Sequence, residues 1–235
     1  MSQLQRIAIA PSQLQQGQIL LTKEQQHYLG RVLRLREGDR FIAMDGKGKW
    51  WLAQLAGEQA RVLEPLLVET ELPVSITLMV ALPKGNGFDE VVRCCTELGV
   101  TCIAPVLSDR TLLHPSPQKL ERWRRIAAEA AEQSERSFVP TILEPVAFNT
   151  AITANQTIHR YICEARGDYP HLNKVLNSIS SEIFIAIGPE GGWTIQEIEN
   201  AESAGFQPVS LGRRILRAVT APVVALSLIS AACEV

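Results

Sequence analysis

An excess of either positive or negative charge is missing from this sequence. Its 23 Lys+Arg stand against 25 Asp+Glu, a formal net charge of −2 over 235 residues. No global basic excess marks a nucleic-acid binder, so such a role must rest on a local patch. A membrane-length apolar run is also missing. The most apolar stretch, 218–233, is broken by Thr220, Pro222, Ser227 and Ser230 and is too short for a span, so it reads as a buried helix. Residues 1–16 are rich in glutamine and lack a continuous apolar segment, so no signal peptide is expected. Cys94, Cys95, Cys102, Cys163 and Cys233 form no C-x-x-C pair, and the expectation is reduced thiols in a cytoplasmic protein. His27, His114, His159 and His171 show no metal-ligand spacing with each other or with cysteine, so no metal site is expected. Apolar residues are not scarce: 46% hydrophobic with 20% charged excludes disorder of the whole chain.

Two textures follow one another along the chain. Residues 1–72 carry a net charge of +1 and alternate short β-like runs with turn signals. Residues 41–44 and 50–55, separated by Asp45-Gly46 and a few more residues, read as a hairpin, and 61–68 as another strand. Thr22 and Gln25 fit a capping box, with Tyr28, Val32 and Leu35 following at helical spacing. Several short strands and one helix predict a small β-barrel. Beyond a hinge at Leu72-Pro73, strands alternate with helices. Strands are expected at 74–82, 100–106, 158–163, 183–187 and 209–211. Helices are expected from Phe88 to Gly99, from Ser116-Pro117 onward, from Thr194 to Gly205 and from Ala221-Pro222 onward. That alternation predicts a parallel α/β sheet covered on both faces.

Four constellations carry chemistry. Residues 185–194 run from an apolar strand through Gly188, Gly191 and Gly192 into a capped helix. Ligands of parallel sheets bind beyond the strand C-termini, where glycines admit close approach and a helix start offers free N–H groups. The loop matches neither a P-loop nor G-x-G-x-x-G. Residues 211–222, with Arg213, Arg214 and Arg217, form a second strand-to-helix loop, and the two loops together make a better cofactor cradle than either alone. Residues 131–136 hold Glu132 and Arg136 at i, i+4, open to a helix-surface pair or to a site. Residues 27–49 have a local charge of +3, with Arg31, Arg34, Arg36, Arg40, Lys47 and Lys49 against Glu37, Asp39 and Asp45. That patch suits a phosphate backbone, with Trp50 or Trp51 available for stacking and at least one of the pair expected in the core.

In order along the chain, these pieces resemble one family. His27 with Val32-Leu33-Arg34 and Gly38-Asp39, Lys84 with 96–100, Glu132-Gln133-Ser134 with Arg136 and Pro140, 187–192, and 211–217 are similar to the motifs of the ribosomal RNA small subunit methyltransferase E family of the SPOUT class. Two positions depart from the pattern: Cys94 stands where the family commonly has lysine, and Val219 where it commonly has glutamate.

The resemblance implies a PUA-like RNA-binding β-barrel over 1–72 and a SPOUT parallel α/β domain with a C-terminal trefoil knot over 73–235. It implies a homodimer that methylates N3 of a uridine in the decoding region of 16S rRNA, in the small subunit or a late precursor, using S-adenosylmethionine and no metal. The cofactor would lie against Glu164, Ile187, Gly188, Pro189, Glu190, Gly191, Gly192, Leu211, Gly212, Ile215, Leu216, Arg217, Thr220 and Ala221. RNA would meet His27, Arg31, Arg34, Lys47, Lys84 and Arg110. Methylation at N3 needs a proton acceptor and stabilisation of charge on the ring. Arg136 is the first candidate for the latter and Arg217 the second; Glu132, Glu190 and solvent are open as acceptors. Two rivals remain: a non-catalytic RNA-binding assembly factor of the same fold, and a nucleotide-binding enzyme using the glycine loops for phosphate.

Overall fold

A computed structural model describes residues 4–111, 115–154, 159–176 and 181–234. The expected strand residue Ile158 and His114 fall outside them. The chain divides into two compact units, Met1–Glu71 with Ala131–Val139, and Leu72–Ala130 with Pro140–Val235. The sequence division at 72/73 assigns 131–139 to the second domain; its contacts group it with the first unit.

In the first unit, β1 (Arg6–Ala8), β2 (Leu14–Gln15), β3 (Gln18–Leu20), β4 (Arg40–Met44), β5 (Trp50–Ala56) and β6 (Gln59–Leu66) form one sheet in the order β1-β4-β5-β6-β3-β2. The expected hairpin is β4–β5, antiparallel with Met44 opposite Trp50. Asp45 closes its loop by accepting from the Lys47 and Lys49 amides at 2.8 and 3.0 Å. Strand β6 begins and ends slightly earlier than the sequence suggested. The capping box forms at α1 (Lys23–His27), where Thr22 accepts from the Gln25 amide. The helical face read beyond it is corrected, because α1 passes into a π-helical turn over Tyr28–Val32. Leu33 N–H reaches back to Tyr28 O at 2.9 Å, and the wider turn rotates the phase. Leu29 is therefore buried, whereas Tyr28 and Val32 face outward. The core joins Ile7, Ile19, Leu29, Phe41, Ala43 and Ala53, with Trp51 packed at its edge.

The second unit contains β7 (Ile76–Ala81), α2 (Gly87–Glu97), β8 (Cys102–Leu107), α3 (Pro117–Gln133), β9 (Thr141–Ile142), β10 (Val146–Ala147), α4 (Phe148–Ala151), β11 (His159–Cys163), α5 (Leu172–Val175), β12 (Ile183–Ile187), α6 (Ile195–Ser203), β13 (Gln207–Val209) and α7 (Thr220–Cys233). The last three residues of α3 belong to the first unit. Every pairing in its sheet is parallel, in the order β10-β8-β7-β12-β11-β13 with β9 beside β8. Met79, Ala81, Ala104, Val106, Ile162 and Ala186 pack with Phe148, Trp193, Ala201 and Phe206 on one face. Leu78, Val80, Ile185 and Ile187 alternate with them and are equally buried. This is the continuous apolar strand pattern of a sheet covered on both faces. Helix α2 ends at Gly99, whose φ of 90° only glycine adopts readily. The expected strand 209–211 is corrected to Gln207–Val209. Ser210 bridges His171 instead, and Gly212 at φ 117° turns the chain away, which frees Leu211 for a loop.

Candidate active site

Strands β11, β12 and β13 are neighbours and point the same way. Their C-terminal loops therefore emerge together, and in a parallel sheet that edge is where ligands bind. The three loops and α6 enclose a cavity of about 740 Å³, within the roughly 300–1,000 Å³ of small-molecule sites. Of the expected cofactor residues, Glu164, Ile187, Gly188, Pro189, Glu190, Gly191, Gly192, Leu211, Gly212, Ile215, Leu216 and Ala221 line it. Arg217 and Thr220 do not; Arg217 is exposed on the same loop, and Thr220 opens α7.

The glycine loop is open backbone held from behind. A Cβ built on Gly188 would lie 3.1 Å from the Trp193 indole, and one on Gly191 3.1 Å from Arg110 Cδ. Trp193 stacks on Phe148 at 4.4 Å between centroids and donates its indole N–H to Cys163 O at 3.2 Å. This contact ties the β12 loop to the end of β11. The capping box of α6 forms as read, with Thr194 and Glu197 bonded reciprocally. Glu197 is only 2% exposed, and its second oxygen accepts from the Asp109 amide at 2.9 Å.

Arg110 was expected to meet RNA. Its guanidinium lies at the cavity and donates to Gly191 O at 2.5 Å and Trp193 O at 3.3 Å. Lys84, exposed in the β7–α2 loop, donates its amide to Glu190 Oε1 at 3.0 Å. Sequence reasoning missed the other cavity residues, notably Cys163, Tyr169, Trp193, Ile195 and Glu199. Trp193 was the legible one, since it directly follows the glycines. Burial pushes the Cys163 thiol up from its ordinary value, with Glu164 adding to the shift, so it stays protonated near neutrality.

Glu132 and Arg136 belong to the first unit. Glu132 accepts from the Ala8 amide at 3.0 Å. Arg136 is 4% exposed and gives Nη2 and Nε to Glu71 Oε2 at 2.5 and 3.2 Å. Glu71 Oε1 also accepts from the Ser137 and Phe138 amides at 2.8 and 3.1 Å. The half-buried Glu71 carboxylate thus holds the guanidinium that was the first candidate for stabilising charge on the ring. His27, Arg31, Arg34 and Lys47 are exposed on the first unit. Trp50 is buried there and Trp51 half-buried, so the pair serves the core more than stacking.

The departures from the family pattern lie off the cavity lining. Cys94 sits on α2, its thiol 3.5 Å from Glu90, and Val219 precedes α7 against Gly87. Among the described residues no group of three or more acidic, histidine or cysteine side chains could hold a metal ion, and no helix is long and apolar enough to cross a membrane.

A family model of an RNA methyltransferase domain matches residues 70–230, and one of an RNA methyltransferase PUA domain matches residues 21–63. The ribosomal RNA small subunit methyltransferase E of Synechocystis sp. is 49% identical, over 97% of this chain and 78% of that protein. The enzyme of that name from Bacillus subtilis is 30% identical, over 89% and 88%. A crystal structure of the Neisseria gonorrhoeae ribosomal RNA small subunit methyltransferase E bound to S-adenosyl methionine superposes with a TM-score of 0.88 at 33% identity, over 97% of this chain and 98% of that one. With its PUA-type sheet, its parallel α/β unit and these matches over up to 97% of its length, the chain belongs to the ribosomal RNA small subunit methyltransferase E family.

Proposed function

We propose that this protein methylates N3 of a uridine in the decoding region of 16S rRNA, with S-adenosylmethionine bound in the cavity of the second unit. The carrying observation is that cavity, built from three adjacent strand ends around an open glycine backbone. Its lining suits the cofactor. Ile187, Leu211, Ile215, Leu216 and Ala221 offer apolar contacts for a planar base, and Gly188 and Gly191 leave backbone bare for close approach. Glu164, Glu190, Glu199 and Glu202 also line it. Carboxylates attract a sulfonium or ammonium, and four of them against Arg110, Arg166 and Arg214 on the same lining leave it one charge negative, without the cationic excess a phosphate site needs, which weighs against the nucleotide rival. Cys94 and Val219 stand off the lining, which weighs against the non-catalytic one.

When bound, the cofactor supplies an electrophilic methyl group. The protein's part is to position the reactants and handle charge. Arg217, exposed on the loop whose neighbours line the cavity, takes the role of stabilising charge on the uracil oxygens. Glu190 accepts the N3 proton, directly or through water. Arg136 and Glu132 hold the first unit together. Arg110 is assigned to the glycine loop instead of RNA, while His27, Arg31, Arg34, Lys47 and Lys84 remain the RNA contacts. The reading includes a homodimer packed across the apolar α7, the trefoil thread of 211–221, and a cytoplasmic location.

The test is mass spectrometry of small-subunit RNA from a deletion strain. N3-methyluridine should vanish and return on complementation with this chain, but not with the Arg217→Ala form. A methyl group that persists in the deletion strain refutes the assignment.

A further inference from the structure

Among the described residues the first unit exposes two aromatic rings, Tyr28 within the basic run and Phe138 outside both that run and the core. Phe138 is 46% exposed, far in sequence from the basic run, yet it pairs with Lys47 in an antiparallel bridge. Gly48 N–H donates to Ser137 O at 2.9 Å, and Val139 N–H to Gly46 O at 3.0 Å. A Cβ on Gly48 would lie 2.6 Å from Phe138 Cζ, so the loop meets the ring only because residue 48 lacks a side chain. Lys47 and Lys49 are exposed on that loop, and Asp45 fixes both of their amides.

The other side of the segment is fixed as firmly. Glu71 takes the Ser137 and Phe138 amides on one oxygen and the Arg136 guanidinium on the other. Thr70 and Ser137 hydroxyls meet at 3.1 Å. An exposed phenyl ring on so constrained a backbone gives up little entropy when something lies against it.

We infer that Phe138, Lys47 and Lys49 form a single-strand RNA prong, with the ring stacking on an unpaired base while the two ammonium groups take the flanking phosphates. Aromatic faces beside cations are the sequence-tolerant way to hold unpaired bases. The inference rests on the RNA-binding reading of the first unit and adds to it a base contact and the reason for the Arg136 block, which acts as a positioning element for the ring. It replaces Trp50 and Trp51 as the stacking group.

The experiment is fluorescence anisotropy with the full-length protein and a short labelled oligouridine, over a series of salt concentrations. Phe138→Ala should weaken binding by about tenfold, since stacking is worth roughly 1–3 kcal/mol per base. Phe138→Trp should retain affinity and Phe138→Leu should not. Lys47→Ala with Lys49→Ala should lower the salt slope by about 1.4, since each single-strand phosphate contact contributes about 0.7. S-adenosylhomocysteine affinity should stay unchanged in all four, and their circular dichroism and thermal melts should match the unsubstituted chain, which checks that the first unit folds. Wild-type affinity in Phe138→Ala, or in Phe138→Leu, overturns the prong. A Phe138→Ala chain that binds oligouridine normally but changes mass in light scattering gives the face to a second copy and overturns it too. If the unsubstituted chain binds no oligouridine while binding small-subunit RNA, only the prong fails; if it binds neither, the RNA reading of the first unit fails with it.

Discussion

Breaking the Arg136–Glu71 pair tests whether this arginine is structural or chemical. Four hydrogen bonds converge on the two oxygens of Glu71: Nη2 and Nε of Arg136 at 2.5 and 3.2 Å, and the Ser137 and Phe138 amides at 2.8 and 3.1 Å. The Arg136 side chain is 4% exposed and that of Glu71 24%. Glu71→Ala takes two hydrogen bonds from a guanidinium that is 4% exposed and orphans two amides. Removing one partner of a buried pair costs about 3–5 kcal/mol, so the loss should fall in that range. Arg136→Ala leaves a carboxylate that still has its amides and partial access to water, so it should cost about 3 kcal/mol, the low end of the same range. The double variant should cost less than the sum, by more than about 1 kcal/mol, because contacting residues couple. Urea unfolding of the full chain, followed by hydrogen exchange on peptides from 45–49 and 131–139, measures all three. Single losses below about 1 kcal/mol, the range of an exposed pair, or strictly additive losses, would refute the buried-pair reasoning. Arg136 would then return to the catalytic column.

Two other outcomes follow from the second unit. Arg110→Ala should raise the dissociation constant of S-adenosylhomocysteine by roughly 5–30-fold in calorimetry, because two charge-assisted bonds to the glycine loop, partly replaced by water, are worth about 1–2 kcal/mol. Arg110→Lys should recover little, as the lysine side chain ends one bond short of Nη1, the nitrogen that makes both contacts; unchanged cofactor affinity with weakened RNA binding would return Arg110 to the RNA contacts. Stability should fall as pH rises above about 9, the ordinary thiol value, because burial raises Cys95, Cys102 and Cys163 in the fold. Above that pH the unfolded chain loses thiol protons that the native state keeps, so the slope is negative, about 1.4 kcal/mol per pH unit for each thiol. The contribution of Cys102 is exhausted near its folded value of about 11. A flat stability profile between pH 9 and 11 in thermal melts would show those thiols ionising freely.

The residues legible in advance were those whose role is local. The capping boxes at Thr22 and Thr194, the helix stops at Gly99 and Gly205, and the apolar runs of β7 and β12 formed as read, because each rests on backbone chemistry within one turn or on a fixed side-chain period. The two cofactor loops were legible for the same reason: glycines between a strand and a capped helix restrict what the backbone does there. The π turn at Tyr28–Val32 was hidden because one inserted residue shifts the phase of every residue after it without a compositional mark.

Partners far apart in the chain were beyond reach. Arg136 read either as half of an i, i+4 pair with Glu132 or as a site residue, and tertiary packing brings Glu71 to it. Arg110 was expected to meet RNA, yet the parallel order of β8, β7 and β12 brings the loop after β8 to the glycines after β12. Phe138 had no reason to stand out until residues 131–139 returned to the first unit and laid it beside Lys47. The sequence by itself determined the elements, their order and the family, because these follow from local conformational energies and ordered motifs. Which charge meets which, and which side chains share a surface, was decided only by the tertiary structure, since contacts between distant residues follow from the path of the chain and not from spacing along it.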